Sequence, residues 1–147
     1  MNAAFAAKQR LKQMLSLSVI LYLLVSVGVM AMGIKYIRAK PPLDYHAEIT
    51  KADELSEATL KVFGALYKVM GGGFLALGII LAMLTLFGVW NNIFWAKLAI
   101  LVGTLIAGGF SALIPREVEQ ATGVRTPWRI AAALTTLTIV AFVISIL

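Results

Sequence analysis

Residues 13–34 read QMLSLSVILYLLVSVGVMAMGI, 22 positions without a charged side chain. At about 1.5 Å of rise per residue, such a run covers roughly 33 Å as an α-helix, close to the thickness of a bilayer's hydrocarbon core. Three more uncharged runs follow, at residues 69–96, 98–115 and 130–147. Lipid offers no partner to a backbone N–H or C=O, so each run must satisfy its own hydrogen bonds, and none alternates with the period of two that a barrel strand needs. The sequence therefore predicts an all-α integral membrane protein. It forms one domain over residues 1–147, an up-down four-helix bundle with spans near residues 14–34, 68–89, 96–114 and 127–147. A composition of 61% hydrophobic and 14% charged residues fits a bilayer better than water.

The charges collect between the runs. Lys8, Arg10 and Lys12 precede the first run, which exceeds the roughly 7–15 apolar residues of a secretory leader. It reads as a retained first helix behind a short basic, amphipathic lead-in. Lys35, Tyr36, Arg38 and Lys40 mark its exit, and Pro41-Pro42 stops it. The segment from Pro41 to Lys68 holds five of the seven acidic residues and the single histidine. Its second half predicts a juxtamembrane amphipathic helix over residues 50–68. Thr50-Lys51-Ala52-Asp53 reads as a capping box, with Leu55, Thr59, Val62 and Leu66 on a face sheltered by protein or lipid. Glu54, Glu57 and Lys61 fall on the wet side.

Trp90 and Trp95 bracket Asn91-Asn92, as expected of a tight helical hairpin at headgroup level, since indole rings prefer that layer and asparagine tolerates turn conformations. Lys68 and Lys97 stand at span ends, where their stems can snorkel; with the two tryptophans they are the predicted interface anchors. Pro115 is expected to end the third span. One or two helical turns follow, stopped at Gly123, and Thr126 then caps the fourth span with Pro127 in its first position. Gly72 with Ala76, Gly78 with Ala82, Gly103 with Ala107, Gly108 with Ala112, and Ala131 and Ala132 with Thr135 and Thr136 are small-residue pairs read as packing inside the bundle.

The net charge of +6 comes from basic residues flanking the spans, where they meet lipid phosphates, so lipids and not nucleic acid are the expected partners. With no cysteine, disulfides and thiolate metal sites are excluded, and no cofactor or metal is expected. His46, near Asp44, Tyr45 and Glu48, reads as a solvated loop residue. No nucleophile elbow, zinc-protease helix or phosphate loop occurs. The most distinctive string is residues 115–129, where Arg116, Glu117, Glu119, Arg125, Trp128 and Arg129 converge at one membrane face. These six, with His46, are the candidate contacts for a lipid headgroup or a partner.

Within that string, Gly123-Val124-Arg125-Thr126-Pro127-Trp128 resembles the Gly-Ile-Arg-Thr-Pro-Trp segment that precedes a membrane helix in SdpI-type immunity and signalling proteins. The chain's size and four-span plan are similar to those of DoxX-like small membrane proteins. The resemblance implies a membrane-embedded interaction or protective role without catalysis. The leading expectation is thus a non-catalytic accessory, immunity or lipid-contacting protein, with a membrane-protein partner or a homo-oligomer as further possibilities. The alternatives are a small membrane enzyme of the glutathione- or lipid-metabolising four-helix type and an oligomeric channel or transporter. The side carrying the first and third connections has nine Lys and Arg against Lys8, Arg10, Lys12 and Lys97 on the other. This count places the larger connections in the cytoplasm and both termini outside, in a bacterial inner or plasma membrane.

Overall fold

The structure is a computed structural model that describes residues 3–51 and 55–147. Its elements are α1 (Ala3–Arg38), α2 (Asp44–Thr50), α3 (Glu57–Met83) with a π-helical continuation (Leu84–Val89), α4 (Phe94–Thr122) and α5 (Trp128–Ile146), with no strand among the described residues. Four helices (α1, α3 with its continuation, α4 and α5) are long and apolar enough to cross a membrane. The chain is an all-α, multi-pass membrane protein. Its predicted lead-in is no separate element: α1 runs unbroken from Ala3.

α1 lies at the centre, against α3 on one side and α5 on the other, while α4 packs on α5 and on the π-helical end of α3. Val19, Tyr22, Val25 and Val29 of α1 accordingly supply half of a buried cluster completed by Leu81, Val89, Ile100 and Ala141. Because lipid tails are as apolar as leucine, close backbone approach must hold these helices together. Gly33 and Gly71 provide it between α1 and α3. A Cβ on Gly33 would stand 2.6 Å from the Leu75 nitrogen, and one on Gly71 would stand 2.7 Å from the Gly33 oxygen. Gly78 meets α1 in the same way at Met30 and Ser26, and Gly108 lies against Thr135 of α5. The pairing predicted from small residues holds only in part, since Gly72 and Gly103 meet nothing within 4 Å.

The hairpin between the second and third spans forms as expected, with Asn92 in the left-handed region at φ 57°. Trp90 and Trp95 are both exposed beside it. The π-helical stretch leads into this turn: the Trp90 N–H reaches back five residues to the Thr85 oxygen at 3.0 Å, and the Ile93 N–H to the Gly88 oxygen at 2.9 Å. Beyond this stretch α3 and α4 diverge. The gap, floored by α1 and α5, leaves an apolar hollow of about 50 Å³ among Phe74, Leu77, Thr104 and Leu134.

Two local expectations are corrected. The helix predicted over residues 50–68 is two elements, since α2 ends at Thr50 with Lys51 left-handed at φ 49°, and α3 begins at Glu57. Its cap is Ser56, whose hydroxyl accepts the Thr59 N–H at 3.2 Å; the Ala52-Asp53 half of the expected capping box, and Glu54, lie outside the described residues. On α3, Phe63 and Tyr67 turn inward, while Val62 and Leu66, on the face expected to be sheltered by protein or lipid, lie exposed on the protein's surface. Finally, Pro115 sits inside α4, which continues to Thr122 before Gly123 ends it at φ 72°. Proline removes a single N–H from the ladder, and a membrane helix tolerates that loss where neighbouring groups re-satisfy the backbone.

Candidate functional site

Thr126, from the connection after α4, folds back onto Pro115. Its hydroxyl donates to the Pro115 carbonyl at 2.8 Å, so Thr126 does not cap α5 as expected; Pro127 takes the cap position and Trp128 opens the helix. The Thr126 N–H donates to Oε2 of Glu119 at 2.8 Å. Arg129 grips the same carboxylate with both guanidinium nitrogens, at 3.1 and 2.7 Å. A fork-to-fork pair of this kind fixes orientation as well as supplying charge. Glu119 thus folds the connection back on α4 and ties α4 to α5. Arg129 and Arg116 lie over the Trp128 ring, their guanidinium carbons 4.7 and 5.6 Å from its centroid. Cations over an indole face are attracted by its quadrupole.

Four of the predicted site residues, Arg116, Glu119, Trp128 and Arg129, therefore form one clasp. Glu117 is exposed and lies outside it. Arg125 serves a different hollow of about 370 Å³, which it shares with Lys35 at the end of α1, with Asp44, Tyr45 and Glu48 of α2, and with Thr126. Both signs of charge line this groove.

His46 is not a solvated loop residue. It belongs to α2, is half-buried, and stacks against Phe63 and Tyr67 of α3 with ring centroids 5.9 and 5.4 Å away. Its Nδ1 is hydrogen-bonded to the Tyr67 hydroxyl. That hydroxyl oxygen also accepts the Leu43 N–H at 3.3 Å, which ties the start of α2 to α3. Tyr36 closes the cluster, edge-on to Tyr67 and hydroxyl to hydroxyl with Tyr45 at 3.3 Å. Burial, followed by the Tyr36 hydroxyl, holds the Tyr45 phenol above its ordinary value, keeping it protonated. Tyr45 lines the groove and also packs on His46, at 4.0 Å between rings, so His46 supports the groove without lining it.

Burial lowers the His46 pKa below its ordinary value of 6.5. The unfolded chain then binds a proton that the folded chain refuses, so stability is fully present above the unfolded value and falls as pH drops through it. Acidification from about pH 7.5 to 5 is expected to destabilise this end of the molecule, as read by amide exchange over residues 43–50. His46→Phe should flatten that pH dependence. An unchanged slope in the variant would assign it to other groups.

The anchors divide. Lys68 is exposed, as snorkelling requires, but Lys97 is buried and does not snorkel: it donates to Asn92 Oδ1 and to the Ser145 carbonyl, each at 2.6 Å. Sequence reasoning missed Lys35 and the aromatic partners of His46. The i, i+4 spacing of Phe63 and Tyr67 was the available signal for the latter. Comparison with protein-family models, curated proteins and solved structures finds no match to this chain.

Proposed function

We propose that this chain is a non-catalytic membrane protein of the accessory or immunity kind, resident in a bacterial inner or plasma membrane. In this reading it works by holding the headgroup of a zwitterionic lipid at the face built by the first and third connections. The observation that carries it is the groove where Lys35 and Arg125 share one hollow with Asp44 and Glu48. A phosphoethanolamine headgroup carries the complementary pair, a phosphate for the two cations and an ammonium for the two carboxylates, with the Tyr45 ring in the wall as a further seat for the ammonium. The clasp around Glu119 fixes the connection that presents Arg125. The resemblance of residues 123–128 to SdpI-type proteins suits a protective, interaction-based role.

The test is native mass spectrometry of the full chain in mild detergent, offered phosphatidylethanolamine and phosphatidylglycerol with equal tails. Phosphatidylethanolamine should be retained, and the groove is read by what the double variant loses. Lys35→Ala combined with Arg125→Ala should reduce its retention by at least about tenfold, since one lost charge-assisted contact alone is of that scale. No retention of phosphatidylethanolamine by the wild type, no change in the double variant, or turnover of the offered lipid would each overturn the reading.

A further inference from the structure

Lys97 stands in the first turn of α4 and is only 3% exposed. An ammonium carries three N–H donors, and two are engaged by Asn92 and the Ser145 carbonyl. Both acceptors are neutral, and among the described residues no carboxylate approaches Lys97 within 4 Å. A buried cation without a counter-ion is costly, the more so at a membrane span. The side chain opens on a cleft of about 470 Å³ between α1, α4 and α5, whose apolar walls include Leu11, Leu15, Phe94 and Ile144. Nearby, the Tyr22 hydroxyl, on a residue 1% exposed, is directed towards the Ser145 side chain without a well-formed hydrogen bond.

A cleft with a cationic, hydrogen-bonding base and hydrocarbon walls fits an amphiphile with an anionic head. Its level agrees: the neighbouring Trp90 and Trp95 are 62% and 61% exposed, as befits indole rings in the headgroup layer. Lys12 borders the adjoining groove with Leu15 and Trp90, adding positive charge at the same height. We infer that this cleft binds the phosphate of an anionic membrane lipid, with the third N–H of Lys97 on a phosphate oxygen and an acyl tail along the wall of α1. The site lies at the membrane face opposite the zwitterion groove and does not depend on it. A free inorganic anion offers the same charge, but it would leave the apolar walls without a partner.

The experiment uses the full chain carrying Lys35→Ala and Arg125→Ala, so that the other groove contributes nothing. Native mass spectrometry in nonionic detergent compares phosphatidylglycerol with diacylglycerol of the same tails. The expected result is about tenfold preferential retention of phosphatidylglycerol, abolished by Lys97→Gln and kept by Lys97→Arg. Ile144→Trp, which fills the cleft and leaves Lys97 in place, should abolish it too, and it decides the matter if Lys97→Gln does not fold by circular dichroism. Absence of the preference, or its survival in the cleft-filling variant or in folded Lys97→Gln protein, overturns the inference. Millimolar inorganic phosphate protecting the lipid-free chain from heat as well as phosphatidylglycerol does would reassign the site to a free anion and overturn the lipid.

Discussion

Replacing Gly33 by alanine is expected to destabilise the bundle by about 3 kcal/mol, the upper end of the usual cost of forcing extra atoms into a packed interface. The added methyl would meet backbone, not the end of a flexible side chain: the Leu75 nitrogen at 2.6 Å, the Gly71 oxygen at 2.8 Å and the Leu75 Cα at 3.0 Å. Backbone atoms cannot rotate aside, so α1 and α3 must separate along their whole shared length. Gly71→Ala meets the reciprocal obstacle at the Gly33 oxygen and should behave alike. Gly72→Ala, one residue on, points into open space and should change stability by less than about 0.5 kcal/mol. Unfolding in mixed sodium dodecyl sulfate and dodecylmaltoside micelles reads all three. Equal effects at Gly71 and Gly72 would show that glycine flexibility, and not close approach, is what the segment requires.

That contrast marks how far the fold is legible in the sequence. The four spans can be read because lipid imposes one demand, internal hydrogen bonding over about 20 apolar residues, and the chain meets it four times. Which face of each span turns inward cannot be read, because Gly71, Gly72 and Gly73 are alike until the helix rotation is known. Gly33, the closest partner of Gly71, belongs to no small-residue pair in its own helix. Boundaries failed where a rule for soluble helices was carried into the membrane: Pro115 is expected to stop α4, yet the helix passes through it, since proline removes one N–H, the partner of the Ser111 carbonyl, and leaves the rest of the ladder in place.

The candidate site divides along the same line. Glu119, Trp128 and Arg129 lie within ten residues of one another, so their meeting needs only a short connection folded back, and the string announces itself. The groove needs the end of α1 and all of α2 brought beside the α4–α5 connection, a tertiary event without a local signal. Lys97 was misread for a related reason. A lysine at a span end normally reaches water, and only the return of α5, with the Ser145 carbonyl 48 residues away in the chain, turns it inward.

The second large effect is expected at Thr126, which is 4% exposed. Thr126→Val keeps the shape of the side chain and removes the hydroxyl that donates to the Pro115 carbonyl at 2.8 Å. Inside α4 that carbonyl also faces the Glu119 N–H four residues on, so the loss is one hydrogen bond of about 1 kcal/mol, the one that ties the connection to the turn of α4 weakened by proline. The Thr126 N–H to Glu119 bond is untouched by the substitution, so the loss isolates the hydroxyl. Thr126→Ser retains the donor and should stay within about 0.5 kcal/mol of wild type. Micelle unfolding gives the stabilities, and amide exchange over residues 115–122 shows where the loss falls: Thr126→Val should loosen that last stretch of α4 while residues 98–106 stay protected. If valine and serine behave alike, the hydroxyl adds nothing to holding the connection on α4, and the contacts of Glu119 hold it alone.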